Sequence, residues 1–210
     1  ELAETEMGDA SYYDWLVKLG RRYGWQPDKR MYHADDIAVG QVFIDLYNKY
    51  KDKNMLYPTQ ARAEWVVNHP SDGPMDLDYK KRETLERWTW CDALYMAPPV
   101  YVKLYMLTGD KRFIKFMNKE YKATYDLLFD KDERLFYRDS RYLTQKEANG
   151  AKVFWGRGNG WVLGGLAEML QDFPKNDKNR KFYEELFVTL SARVAELQSA
   201  DGFWHASMLD

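Results

Sequence analysis

His33-Ala34-Asp35-Asp36-Ile37-Ala38-Val39-Gly40-Gln41-Val42-Phe43-Ile44-Asp45-Leu46-Tyr47-Asn48-Lys49-Tyr50 is a polar opening that runs into an apolar stripe. Val39, Val42, Phe43, Leu46, Tyr47 and Tyr50 recur at helical spacing, which predicts a helix over 35–50 with one buried face. Acids at its start suit the free amides and the dipole of a helix N-terminus. The same periodicity marks Tyr12, Leu16, Leu19 and Tyr23, and it predicts further helices over 59–68, 92–107, 110–128, 158–173 and 177–199. Pro98 and Pro99 interrupt the 92–107 segment, so the chain is expected to bend there or restart at Pro98. His69 to Tyr79 reads as a polar loop with Pro70, Gly73 and Pro74 as turn signals. Asp130 to Phe154 has no stripe and reads as a long loop with short strands, a length that is usually functional.

No strand–helix alternation suggests a parallel sheet, so the fold class is all-α. The helices pair roughly every fifty residues without a sequence repeat. Either an α-solenoid or a toroid of α-hairpins fits. In a ring of hairpins, alternate helix starts face one end, where side chains from distant segments converge.

The 210 residues, 45% hydrophobic and 30% charged, suffice for one domain with a sizeable core. Aromatics reach 16%, including 8 Trp and 16 Tyr, a surplus suited to sugar clefts because aromatic faces stack and polar edges bond. A net charge of −2 gives no basic field for nucleic acid. No apolar run approaches a membrane span, and no signal-peptide pattern is seen. The single Cys91 excludes an internal disulfide and a cysteine-based zinc site. The chain opens at Glu1 and stops straight after an aromatic cluster, so a trimmed domain over 1–210 is expected, with helices following Asp210 and a segment before Glu1 left open.

Four segments place polar groups among aromatics. In the first, Tyr32-His33-Ala34-Asp35-Asp36, one Asp is expected to cap the helix, while both together with His33 exceed what a cap needs. Three His in all, without convergent spacing, make a poor zinc site. The second, Arg87-Trp88-Thr89-Trp90-Cys91-Asp92-Ala93-Leu94-Tyr95-Met96-Ala97-Pro98-Pro99, sets one carboxylate among aromatic and apolar groups. Asp92 is either an N-cap or a proton carrier whose pKa is raised by burial and lowered by the helix start. At helical spacing Trp88, Met96 and Pro99 share its face. Cys91 beside it reads as a small buried hydrophobe, not a nucleophile, since no His lies near it in sequence. The third segment, Arg138-Asp139-Ser140-Arg141, reads equally as a surface salt-bridge loop or a binding loop. The fourth is Trp155-Gly156-Arg157-Gly158-Asn159-Gly160-Trp161. Its free amides and Arg157 suit a carboxylate, and its tryptophans could wall a ring or lie in the core.

Three of these in order, His-Ala-Asp-Asp-x-Ala-x-Gly-Gln at 33–41, Trp-x-Trp-Cys-Asp-Ala-Leu-Tyr-Met-Ala-Pro-Pro at 88–99 and Trp-x-Arg-Gly-Asn-Gly-Trp at 155–161, resemble glycoside hydrolase family 105, the unsaturated rhamnogalacturonyl hydrolases related to the unsaturated glucuronyl hydrolases of family 88. Asp201-Gly202-Phe203-Trp204-His205 also resembles the family. The resemblance implies an (α/α)6 toroid, with about seven to eight of its twelve helices in this chain. It implies release of a 4,5-unsaturated uronic acid from the non-reducing end of lyase-generated oligosaccharides, by hydration of the C4=C5 double bond. No metal or organic cofactor is implied. The partner is the oligosaccharide, and either periplasm or cytoplasm of a bacterium fits.

By the same resemblance Asp92 is the general acid/base and Asp36 the second carboxylate. His33, Trp88, Trp90, Met96, Arg157, Gly158, Asn159 and Trp161 are expected to line the substrate. Some members carry a His after Leu-Phe-Tyr where this chain has Arg138. Arg138 is therefore expected as a second contact for a carboxylate or sulfate, which admits a sulfated algal polymer beside pectin. Two other functions stay open: an inverting glycosidase using Asp36 and Asp92 across an intact bond, and an inactive carbohydrate-binding module.

Overall fold

The computed structural model describes residues 8–210. Nine α-helices are assigned among them. They are α1 (Ser11–Arg22), α2 (Ala34–Ile37), α3 (Gly40–Tyr50), α4 (Lys53–Asn68), α5 (Ala93–Met96), α6 (Pro98–Thr108), α7 (Lys111–Leu128), α8 (Gly156–Asp172) and α9 (Arg180–Glu196). β1 (Phe129–Asp130) and β2 (Leu135–Phe136) pair antiparallel, Phe129 with Phe136 and Asp130 with Leu135. They are the short strands expected near the long loop.

Two boundaries differ from the sequence reading. The helix over 35–50 is two pieces, with α2 preceding a turn at Ala38 and Val39. α4 begins at Lys53, before Pro58, because Asp52 caps it by accepting from Asn54 N at 3.0 Å. Pro58 is the sixth residue of this helix, so it forgoes the i→i−4 bond that an N–H there would give to the Asn54 carbonyl. The chain does restart at Pro98: both prolines occupy the first two positions of α6, where their missing N–H groups would have had no partner.

Two connections are short enough to force hairpins. Lys51 and Asp52 join α3 to α4, with Lys51 left-handed at φ 57°. Gly109 and Asp110 join α6 to α7, with Gly109 at φ 72° and Asp110 capping α7 through Arg112 N at 2.9 Å. α3, α6 and α8 pack side by side as one row, while α4 and α7, each folded back on its predecessor, pack together behind it. α9 lies against α8. The starts of α2, α5 and α8 come together at one end. Towards the other end Lys103 of α6 binds Asp45 of α3 at 2.9 Å and Glu168 and Asp172 of α8, both at 3.2 Å. The row is therefore parallel, as a ring of hairpins requires.

Between the rows lies a core of Leu94, Tyr101, Phe113, Met117, Tyr121, Phe136, Leu166 and Tyr183, all buried. Arg87 and Glu120 form an ion pair within it at 2.9 Å. α8 presses on α5 through glycine. A Cβ at Gly165 would lie 2.4 Å from the Leu94 carbonyl oxygen, and one at Gly158 would lie 2.8 Å from Cys91 Sγ. The two glycines are seven residues apart, so they share a helix face.

Candidate active site

His33 opens α2. Its Nδ1 accepts the Asp35 N–H at 3.3 Å, so the histidine is the cap and both acids stand in the first turn. Burial, then the nearby Arg30, lowers its pKa to about 4, with Asp36 opposing. It is neutral at pH 7, and with Nδ1 accepting, the ring proton sits on Nε2 as a donor. The imidazole packs on Trp90 with ring centroids 4.7 Å apart, which draws α2 against the Asp92 segment.

Asp36 is tied inward. Its Oδ1 accepts from Arg30 Nε at 3.0 Å and Nη2 at 2.5 Å, and its Oδ2 from the Arg30 backbone N–H at 2.7 Å. Burial pushes its carboxyl up, but the Arg30 side-chain and backbone hydrogen bonds outweigh this and hold it below the usual range. Both oxygens of the expected second carboxylate are thus engaged by the fold. Asp35 is the outward member of the pair, with 47% of its side chain exposed. Burial of its carboxyl raises its pKa, Arg30 opposes the rise, and the negative charges of Asp92 and Asp36 add to it. Solvent screens much of the charge contribution, since nearly half of the side chain is exposed.

Asp92 stands at the start of α5 but makes no side-chain cap. Its carboxylate is 15% exposed. Cys91 Sγ donates to its Oδ1 at 3.4 Å, and Arg157 Nε lies 3.8 Å from its Oδ2, beyond hydrogen-bond reach. Arg157 is brought there because α8 begins against α5, where Gly158 leaves room for the thiol and the carboxylate. The Arg157 guanidinium is 60% exposed and lies 5.0 Å from the Trp155 ring centroid. Arg138 lies at the same distance from that ring. Trp161 is half-buried and packs on Tyr95 at 4.6 Å.

Several of the expected substrate contacts are buried or already bonded within the fold. Trp88 is 2% exposed, set between Tyr101 and Phe116, and has no face left for a ligand. Asn159 is fully buried. Its Oδ1 accepts the Phe136 N–H at 2.8 Å, and its Nδ2 donates to the Phe136 and Trp155 carbonyls, both at 3.0 Å, so it clamps β2 to α8. Gly158 is buried against Cys91. Met96 is half-buried, and its carbonyl accepts from Gln41 Nε2 at 3.1 Å. Trp90 is 7% exposed and lies under His33 as a floor. Arg138 is held by the buried Asp139 at 2.5 Å and by Tyr79 Oη at 2.7 Å, with Arg141 also on Asp139 at 2.9 Å. Asp35, Asp92, Arg157 and Trp161 keep exposed surface at this end, with His33 behind them. The paired Asp of the first motif was the available signal for Asp35. Nothing in the motif marked Arg30 as the partner that engages both oxygens of Asp36.

The profile of Glycosyl Hydrolase Family 88 matches residues 2–210. The chain belongs to that family. A curated relative, the unsaturated 3S-rhamnoglycuronyl hydrolase of Formosa agariphila, is 40% identical over 209 residues, which are 96% of this chain and 55% of the relative. The chain spans about half the length of the curated relatives it matches. A solved structure described as a polysaccharide lyase superposes with a TM-score of 0.88 at 29% identity, covering 99% of this chain and 60% of that one. A family 88 glycosyl hydrolase from Bacteroides vulgatus superposes with a TM-score of 0.85 at 26% identity, covering 97% and 60%. The helical toroid of families 88 and 105 is therefore the fold to which these rows of helices belong.

Among the described residues no group of three or more His, Cys, Asp or Glu is placed to hold a metal ion. Among them, too, no helix is long and apolar enough to cross a membrane.

Proposed function

We propose that this chain carries the acid/base end of an unsaturated uronyl hydrolase. Its substrate is an oligosaccharide left by a polysaccharide lyase, ending in a 4,5-unsaturated uronic acid joined to rhamnose. The observation that carries the reading is Asp92: a carboxylate 15% exposed, not spent on capping its helix, with Arg157 3.8 Å from one oxygen. The name of the Formosa agariphila relative supplies the rhamnose–uronate pairing.

The C4=C5 bond with the ring oxygen on C5 is a vinyl ether. Protonated Asp92 gives its proton to C4, and positive charge develops at C5 and the ring oxygen. Water adds at C5 and returns a proton to Asp92, so one water is consumed and the acid is regenerated. The hemiketal formed at C5 opens, and the rest of the saccharide leaves from C1. Arg157 is suited to the uronate carboxylate, because its exposed guanidinium can grip two oxygens at once. Asp35 faces the developing charge and the sugar hydroxyls, while Asp36 and Arg30 hold the turn that presents it. Neutral His33 donates from Nε2, and Trp161 offers an apolar ring face.

The test is incubation of the enzyme with an unsaturated uronyl-rhamnose disaccharide, followed in the ultraviolet. Hydration removes the absorbance of the double bond and yields free rhamnose. Lyase action, which the name of one structural relative would suggest, raises that absorbance with an unbroken polymer. Cleavage of saturated oligosaccharides alone would sink the hydration reading.

A further inference from the structure

Cys91 is the chain's single cysteine, and the hydration chemistry above makes no use of it. It is fully buried. Its backbone N–H donates to the Arg138 carbonyl at 2.8 Å, which fixes the residue against the loop after β2. Its Sγ lies 3.4 Å from Asp92 Oδ1. Burial, then the neighbouring Asp92 charge, pushes the thiol well above its ordinary pKa, so the sulfur keeps its proton and remains a donor.

A second feature guards this contact. A Cβ at position 158 would sit 2.8 Å from Sγ and 3.5 Å from Oδ1, so only glycine lets α8 close on the pair without moving the sulfur. The carboxylate is otherwise loosely held. It caps nothing, and Arg157 stands 3.8 Å off, on the side of Oδ2.

We propose that Cys91 is a positioning residue for Asp92: its S–H fixes Oδ1 and leaves Oδ2, on the open side with Arg157, as the oxygen that exchanges the proton. This rests on the reading of Asp92 as the proton carrier. A carboxylic acid donates usefully only when its protonated oxygen is held at a defined angle to the acceptor carbon, and a small rotation about χ2 misdirects the proton. A buried thiol supplies that hold without adding a charge.

The experiment has two arms. In the first, the infrared S–H stretching band of the sole cysteine is recorded in the wild type and in Asp92→Ala. Loss of the acceptor is expected to move the band to higher frequency. An unchanged band overturns the proposal whatever the enzyme does, and this arm needs no turnover. In the second, Cys91→Ala is expected to lower kcat by about 3- to 10-fold with KM unchanged, and Cys91→Ser, which keeps a donor of similar size, to recover most of the loss. A Cys91→Ala enzyme with wild-type kcat, or a serine variant no better than alanine, overturns it. Failure of the hydration reading would appear separately, as an active enzyme whose Asp92→Asn variant still turns over.

Discussion

The two ends of the parallel row α3, α6 and α8 handle charge in opposite ways. Towards the C-terminal end, Lys103 gathers Asp45, Glu168 and Asp172 within 3.2 Å, one cation tying three helices together. Carboxylates there oppose the negative end of the helix dipoles, and the lysine offsets that repulsion. At the N-terminal end, pairing stops short. Arg30 takes Asp36, and Arg138 and Arg141 take Asp139, yet among the described residues Asp35, Asp92 and Arg157 have no direct hydrogen bond to an opposite charge. Arg157 and Asp92 approach to 3.8 Å without a hydrogen bond, so their charges are only loosely committed to the fold. The difference separates charge committed to helix packing from charge held loosely at the helix starts.

Removing one charge from each end should therefore move different observables. The largest effect is expected from Asp92→Asn: loss of kcat by about 10³-fold or more, with thermal stability nearly unchanged, since this carboxylate caps nothing. Steady-state kinetics and a melting curve on the same preparation check both halves. A variant that lost stability in proportion to activity would return Asp92 to a structural role.

Acid should distinguish the ends next. His33 has its pKa lowered to about 4 from an ordinary 6.5, so the unfolded chain binds a proton that the folded chain refuses in this window. The stability that neutral His33 permits is present above pH 6.5 and is lost as pH falls towards 4, at most on the order of 3 kcal/mol. Asp36, whose pKa is lowered, adds loss in the same direction at more acid pH. Lys103 behaves oppositely: its pKa is raised despite burial, by Asp45 and Asp172, so its contribution is full below the ordinary 10.5 and fades only in alkali. Chemical denaturation across pH 4–7 should show a slope that His33→Gln flattens and Lys103→Met does not.

How much of this was legible in the sequence follows from what each signal encodes. Helix stripes record burial on one face, and the prolines at 98 and 99 mark a start as clearly as an interruption. The convergence of helix starts follows from short hairpins, which the turn residues at 109 and 110 announce. Side-chain commitment is different. Trp88 and Trp90 sit two residues apart in one motif, yet the first is sealed between Tyr101 and Phe116 while the second floors His33. Asp35 and Asp36 are chemically identical neighbours, and only the position of Arg30 decides which one is locked. Asn159 looks like a ligand contact in its motif but closes a backbone gap beside Phe136. Such assignments depend on partners distant in sequence or on local geometry that residue type does not encode.

Lys103→Met should give the next smaller effect. It leaves three carboxylates without their shared cation, and burial with their mutual repulsion already pushes Asp45 up. The carboxylates are partly exposed, 35% to 52%, so solvent limits the loss to about 2 kcal/mol at neutral pH, measured by denaturant unfolding. Activity per folded molecule should be unchanged. A fall in kcat without a fall in stability would mean that the two ends are coupled through the row.

The smallest expected change tests what kind of charge the open end needs. Arg157→Lys keeps the cation near Asp92 but loses the planar fork and weakens the contact with Trp155, whose ring centroid lies 5.0 Å from the guanidinium. If Arg157 grips a substrate carboxylate through two parallel hydrogen bonds, KM should rise by about 3- to 10-fold while kcat stays close to wild type. If instead it acts only as a positive charge beside Asp92, lysine should serve as well as arginine in both constants, and Arg157→Met should lower kcat. The split between KM and kcat thus decides whether the unpaired arginine is reserved for the ligand or for the acid. At the other end of the row the question does not arise, because Lys103 already has its carboxylates.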